Sequence, residues 1–437
     1  MTSAGQIAPI HGMEAGRGPV FRAARGVLLL LLVVIYGGCF EFFIRISPAL
    51  LYGTYFVIIG CVSVCLFFDW TVTRNLKSVA PYLLWTFFYF VWAMIAISSE
   101  ATAVSEGTRM YVKNLLVICS IALAIDFDTL RPFARMLQIV VIGNFALGLY
   151  EVAHPEVIAQ IADTREVGGT AFDVLRPAGL WSNPDEASTA FIFSLFMSRW
   201  AGGRLAWFGR LASVGGVFLS ASRTGALLLV FCGTIYLIHW LRRHRIDSGR
   251  LTFICGTLLV VGATAFLAVN VLGFNPEDSW QVARMLDISE SKHGAGEASR
   301  LYIAKHATQV ALVGPLNGYG LFTFQFHAQP LIPTIVDPPA HNIYIVIWGE
   351  AGPLVWLTYL LLLAEGFRRI FRAPMHAADR LPLLLMWLCY LLIGFTWHNQ
   401  FTAFSGMIYA ALLWRLPAMV RSEDAHDGSR TAALVLA

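Results

Sequence analysis

Charge is scarce in this chain. Asp, Glu, Lys and Arg together make up 13% of its 437 residues, about half of the ~25% found in soluble domains. Strand-like alternation of apolar and polar residues is missing too, which argues against a membrane β-barrel. None of the seven cysteines (Cys39, Cys61, Cys65, Cys119, Cys232, Cys255, Cys389) falls in an outer loop; all lie in apolar stretches, so a disulfide framework is excluded. No Cys/His spacing suggests zinc, and no Walker loop or dinucleotide glycine pattern appears. Neither a metal nor a cofactor is expected.

What the chain has in abundance is apolar length. Hydrophobic residues make up 57% of it, in blocks of about 18–22, enough for an α-helix to cross a ~30 Å hydrocarbon core. The expected fold is all-α: a polytopic membrane helical bundle of about twelve transmembrane helices. Candidate spans run roughly 27–44, 48–68, 79–98, 108–125, 131–151, 185–200, 205–221, 223–241, 251–272, 341–364, 382–398 and 401–418. The sixth and seventh are the weakest, interrupted by Arg199, Arg204 and Arg210. The organisation read from this is a polar tail over 1–26, an integral membrane domain over 27–418 and a second tail over 419–437. The first apolar block carries no small-residue cleavage site and reads as a signal-anchor.

Lys and Arg placement orients the bundle. With the N-terminus cytoplasmic, Arg17, Arg22 and Arg25 lie inside, as do Arg74 and Lys77, Arg131 and Arg135, and Arg242, Arg243, Arg245 and Arg250. The inner loop before the eleventh span adds Arg368, Arg369, Arg372 and Arg380. An even number of spans returns the C-terminus to the cytoplasm. These inner clusters account for the net charge of +4, which therefore gives no reason to expect nucleic acid. Two outer segments are long, about 151–186 and 273–340, and loops of that length usually carry function. Within the second, residues 300–313 (RLYIAKHATQVALV) read as a short amphipathic helix near the interface.

Cations at the outer face run against the positive-inside bias, and each is a site hypothesis with a structural rival. Arg223, in LSASRTGALLL, is held at the membrane surface by a connection with almost no loop; its rival role is a snorkelling helix-end arginine. Arg300 opens the amphipathic helix and could instead pair with Glu297. Arg176 sits in LRPAGLWSNPDE, where Asn183 or Asp185 reads as a helix cap. Arg109 and Lys113, four apart, share a helix face and could hold a polyanion or pair with Glu100 or Glu106.

His341-Asn342 opens HNIYIVIWGEAGPL directly after Asp337-Pro338-Pro339. An interfacial imidazole suits general-base work at neutral pH; the rival reading is a plain helix cap. Glu350 lies nine residues on, about 180° around the helix and ~13 Å deeper. It cannot touch His341, and is expected to tie its span to a neighbour through a buried Arg or Lys. Gly349 and Gly352 permit close helix packing. His398-Asn399 is a second such pair, at an outer turn. Asp126-Phe127-Asp128 has a metal-binding Asp-x-Asp spacing, but in a tight inner turn it is better suited to capping the next helix.

Several fixed cations at an outer membrane surface suit a lipid-linked phosphate, because arginine pairs bidentately with phosphate oxygens. The order GLWSNPDEAS, LSASRTGALLLVF, SRLYIAKHA with GPLNGYGLFTF, and HNIYIVIWGEAG resembles the O-antigen ligase and polysaccharide polymerase superfamily, over roughly 170–365. The resemblance implies about twelve spans, a long periplasmic loop before the tenth, and location in a bacterial inner membrane with a periplasmic site. It implies a metal-independent, inverting glycosyltransferase acting on an undecaprenyl-diphosphate-linked glycan. Arg223 and Arg300, with Arg176, would bind the donor diphosphate and His341 would be the base, with Asn342, Glu350, Arg109 and Lys113 in support. Lipid A-core is the expected acceptor of a ligase; a second lipid-linked glycan would be that of a polymerase. The family's Gly-x-x-Gly after the His-Asn pair is incomplete here, because Val355 follows Gly352 where the second glycine is expected. Protein O-glycosylation differs only in its acceptor. A secondary transporter is the rival from another class, although the long loops after spans five and nine break the symmetry of two six-span halves.

Overall fold

The computed structural model describes residues 18–39, 47, 49–68, 73–96, 101–154, 178–181, 184–220, 222–243, 300–324, 327, 342–373, 375, 377–396, 399–401, 403 and 405–419. Every regular element among them is a helix. In chain order they are α1 (Pro19–Tyr36), α2 (Ala49–Phe68), α3 (Thr73–Ala96), α4 (Ala101–Ala124), α5 (Phe127–Ala153), α6 (Pro184–Ala201), α7 (Gly203–Leu219) and α8 (Arg223–Arg243). After them come α9 (Arg300–Val313), α10 (Ile343–Arg372), α11 (Ala377–Gly394), a single 3-10 turn (Asn399–Phe401) and α12 (405–419).

Among the described residues, five segments are long and apolar enough to cross a bilayer: α1, α3, residues 107–124 of α4, α5 and α10. Shorter apolar stretches are Tyr52–Phe68 and Arg223–His239. The all-helical membrane class agrees with expectation, while the figure of twelve spans goes beyond these five. The ninth expected span, residues 1–17 and 420–437 of the expected tails, and most of the 273–340 loop lie outside the described residues.

Helix ends depart from several of the expected spans, and from the first at both ends. That span was expected over 27–44; the helix instead runs from Pro19 to Tyr36. Pro19 supplies the preset φ of a first helical residue. Gly37 and Gly38, the latter at φ +77°, end the helix. Arg25 is tolerated inside because it is buried and paired, a tertiary fact that hydropathy does not see.

That pairing organises one end of the bundle. Arg25 forms an ion pair with Asp126 and donates to the Ala124 carbonyl at 3.0 Å. Arg415 donates to the neighbouring Ile125 carbonyl at 3.1 Å and reaches the Ser78 hydroxyl at 3.4 Å, while Arg369 donates to the Ser78 carbonyl at 2.8 Å. Helix C-termini leave carbonyls without intrahelical donors, and here arginines from α1 and α12 supply them for α4. Asp126 caps α5 as expected: its Oδ1 accepts from the Thr129 amide at 3.1 Å, and Thr129 Oγ1 accepts from the Asp126 amide at 2.9 Å. α1, α3, α4, α5, α10 and α12 thus meet at one level. At the far end of the same helices, the Trp181 indole donates to the Tyr36 carbonyl at 2.8 Å, and Glu151 accepts from the Ala178 and Gly179 amides, each at 3.1 Å. The segment 178–181 is thereby pinned across the ends of α1 and α5.

Burial alone would push the Asp126 carboxyl up. The Arg25 charge and the hydrogen bonds from Arg25 and Thr129 outweigh it and hold the group below its usual value. A carboxylate with a depressed folded pKa stabilises fully above its unfolded pKa, near ~3.9, and loses that contribution as pH falls through the folded value. Asp126→Asn is therefore expected to cost about 3 kcal/mol at neutral pH by stranding buried Arg25. Thermal unfolding in detergent should show the lower midpoint, with the gap to wild type narrowing only under strongly acidic conditions.

Candidate functional site

The N-terminal part of α10, residues 343–351, called its outer half from the expected orientation, is a separate piece of helix. Gly352 leaves helical geometry at φ +81°, ψ 173°, and the next residue is Pro353. A helical Gly349 carbonyl would accept from the N–H of residue 353, but proline has none. Within an apolar bundle such a carbonyl must find another donor. It does: the Tyr319 amide donates to the Gly349 carbonyl at 2.8 Å, and the Gly320 amide to the Glu350 carbonyl at 2.9 Å. The loop after α9 therefore completes the broken helix. Its approach is close enough that a Cβ on Gly352 would collide with the Leu316 carbonyl, and one on Gly318 with the Glu350 carbonyl.

The Glu350 side chain locks the same junction. It is buried, seven residues into α10 and so ~10 Å along the axis. One carboxylate oxygen accepts from the Tyr89 hydroxyl of α3; the other accepts from the Phe322 amide at 2.9 Å. Phe322 is the one non-glycine described residue at positive φ, +59°. Held conformations of this kind cost of order 1 kcal/mol or more and persist only when the surroundings impose them. Among the described residues its partners are a tyrosine hydroxyl and a backbone amide, not the expected Arg or Lys. A second α3 residue reaches beyond the break, the Trp85 indole donating to Thr358 Oγ1 at 3.2 Å. Tyr89 and Trp85 stack 5.4 Å apart, so α3 splints both halves of α10.

α9 joins this assembly. Ile303, Ala307, Val310 and Ala311 are buried at i, i+4, i+7 and i+8, the apolar stripe of an amphipathic helix. Ala307, Val310, Ala311 and Phe324 cluster with Ile345, Val346 and Trp348 of outer α10. The boundaries 300–313 agree with those expected.

The nominated residues fall into two groups. On the α10 side, Asn342 is the N-cap, its Oδ1 accepting from the Tyr344 and Ile345 amides at 3.0 and 3.2 Å. His341 precedes it and lies outside the described residues. Arg300 is the first residue of α9, and its side chain is likewise outside the description. On the other side Arg223 opens α8, half-buried. Ser222 caps that helix, accepting from the Gly225 amide at 3.2 Å, and donates to Asp185 Oδ1 at 2.8 Å. Asp185 thus couples the starts of α6 and α8, a link that no local motif announced. Its neighbour Glu186 accepts from Ser405 at 2.5 Å, which brings in the start of α12. Arg109 and Lys113 share α4 but not an environment, for Arg109 is exposed and Lys113 buried. Next to Lys113, Asn114 donates to the Phe401 carbonyl at 2.9 Å, where α4 meets the outer turn. Arg176 and His398 lie outside the described residues, and no described group of three or more His, Cys, Asp or Glu side chains could hold a metal ion.

Residues 208–360 match the family model described as O-antigen ligase. That stretch, less than half of the chain, is similar to the family. No curated protein matches the chain. The O-antigen ligase segment takes in Arg223, Arg300, His341, Asn342, Glu350 and the whole α9–loop–α10 junction. Tyr89, Asp185, Arg109, Lys113 and Arg176 lie outside it.

Tyr89 and the Phe322 amide are the contributors that sequence reading missed. Nothing in a run of aromatic residues singles out Tyr89. The break was missed as well, because Gly349 and Gly352 were read only as packing positions, although Gly-Pro inside a span is a helix-breaking signal. Gly352→Ala should destabilise the protein by more than about 1 kcal/mol, because alanine resists positive φ and meets the Leu316 carbonyl. Asn342→Ala removes a cap only, with an expected loss of about 0.5–2 kcal/mol. Thermal unfolding of both variants should rank them in that order.

Proposed function

We propose that this protein transfers a glycan from undecaprenyl diphosphate to a hydroxyl acceptor at the outer face of a bacterial inner membrane, with lipid A-core as the acceptor. The observation that carries the reading is the O-antigen ligase match, whose span contains every principal residue the chemistry needs except Arg176. Arg223 supports it from the geometry: a half-buried guanidinium fixed at a capped helix start is suited to a phosphate at the membrane boundary.

In this reading Arg223 and Arg300, with Arg176, bind the donor diphosphate and offset the charge that develops as it leaves. The acceptor oxygen attacks the anomeric carbon from the face opposite the diphosphate. The C–O bond to diphosphate breaks, undecaprenyl diphosphate departs with the electron pair, and the configuration inverts. His341 takes the hydroxyl proton. Asn342 holds the helix start beside it, and Arg109 and Lys113 line the approach from α4. Both termini are cytoplasmic and no metal takes part.

A repeat-unit polymerase is the second reading, favoured by one observation: Val355 occupies the expected second-glycine position and is fully buried, leaving no room for a glycine-mediated approach there. Purified protein with a lipid-linked glycan, with and without lipid A-core, separates the two. A glycan-modified core that forms only when core is supplied supports the ligase, whereas a ladder formed without core would replace it with the polymerase. His341→Ala is expected to lose ~10²-fold or more in rate. Arg223→Lys should not restore what Arg223→Ala loses, since lysine lacks the planar fork. Full activity in His341→Ala would remove the base assignment.

A further inference from the structure

We infer that Glu350 is a positioning residue that locks α9, the loop 314–324 and the outer half of α10 into one body, hinged at Gly352, so that Arg300 and the His341-Asn342 pair are carried together. The inference deepens the functional reading above and rests on it for its catalytic consequence.

Continuity along α10 cannot hold the outer half in place. Helical hydrogen bonding is interrupted where Gly352 turns out of the helix and Pro353 offers no donor. What remains is lateral. Residues 319 and 320 close the two carbonyls at the break, and the Leu321 amide donates to the Ala93 carbonyl of α3 at 3.3 Å. Glu350 reaches in both directions, to Phe322 of the loop and to Tyr89 of α3. The loop follows α9 directly, and α9 packs on Val346 and Trp348. Arg300 stands at the far end of α9 from the loop, and Asn342 at the far end of half-α10 from the break. Two arms therefore meet at one junction, and their relative position is set by the contacts at that junction together with the packing of α9 on α10.

The arrangement explains why a carboxylate is buried here without a described cationic partner. It serves as a two-sided acceptor, matching one hydroxyl donor and one amide donor. It also accompanies the positive φ of Phe322, whose amide points at the carboxylate in that turn. An alanine would leave both donors without an acceptor. Glutamine would keep a carbonyl for Phe322 and an amide group able to donate to the Tyr89 oxygen.

The test compares the full-length wild type, Glu350→Ala, Glu350→Gln and Tyr89→Phe in lipid nanodiscs, by two independent measurements. The first is amide hydrogen exchange in peptides covering 314–324. Expected is at least tenfold faster exchange at residues 319–322 in Glu350→Ala, a smaller rise in Tyr89→Phe, and near wild-type protection in Glu350→Gln. The second is steady-state transfer from the lipid-linked glycan, normalised to folded protein. Expected is a fall in kcat of tenfold or more together with a raised KM for donor in Glu350→Ala, both largely rescued by Glu350→Gln. Unchanged exchange in Glu350→Ala would overturn the inference, as would faster exchange with kcat and KM intact. If Glu350→Ala does not fold, Tyr89→Phe against Glu350→Gln carries the same comparison. A wild type that transfers no glycan would sink the functional reading alone, and the exchange result would still decide whether Glu350 joins the three segments.

Discussion

A helix broken inside an apolar bundle must find new donors for the carbonyls it strands, and this constraint shapes the region that matters most here. Gly352 and Pro353 strand the carbonyls of Gly349 and Glu350, and the loop 318–320 answers them one for one. Gly318 is required because a Cβ there would meet the Glu350 carbonyl, and Gly318 and Gly320 both hold a positive φ. The GPLNGYGLFTF and GEAGP stretches are therefore two halves of one contact. Their placement near the start of α10 gives the outer half of that helix a position that helical continuity does not impose.

The opposite end of the bundle obeys the same rule with different chemistry. There the stranded groups are the C-terminal carbonyls of α4, and charged donors satisfy them: Arg25 from α1 and Arg415 from α12. Asp126 balances Arg25 while capping α5, so a single acidic residue serves a helix start and a buried cation together. This end is stapled by charge. The junction of α9 and α10 is joined instead by backbone amides, a tyrosine hydroxyl and the Glu350 carboxylate.

Much of the architecture was legible before any coordinates. The helical class, the amphipathic helix at 300–313, the capping role of Asp126 and the start of α8 at Arg223 follow from local pattern: apolar length, a four-residue stripe, a polar residue before an apolar run. The start of α1 did not. A rule that begins a span after its last charge fails when a residue a hundred positions away neutralises that charge, as Asp126 does for Arg25. The Glu350 partner failed for a related reason. A buried carboxylate suggests a cation by electrostatics, but hydrogen-bond donors of any kind can satisfy it, and sequence does not say which side chain of α3 faces it.

By itself, the sequence determined what local physics can determine: that the chain is a membrane bundle of helices, where several of them begin, and which residue types stand ready for phosphate and proton chemistry. It also held the break in α10, in the adjacency of Gly352 and Pro353. Tertiary structure alone decided what heals that break, which hydroxyl of α3 and which amide of the loop meet Glu350, and that Asp185 joins the starts of α6 and α8. Those pairings join residues far apart in the chain. They are chosen by packing, where one donor must reach one acceptor, and no periodicity along the sequence encodes that choice.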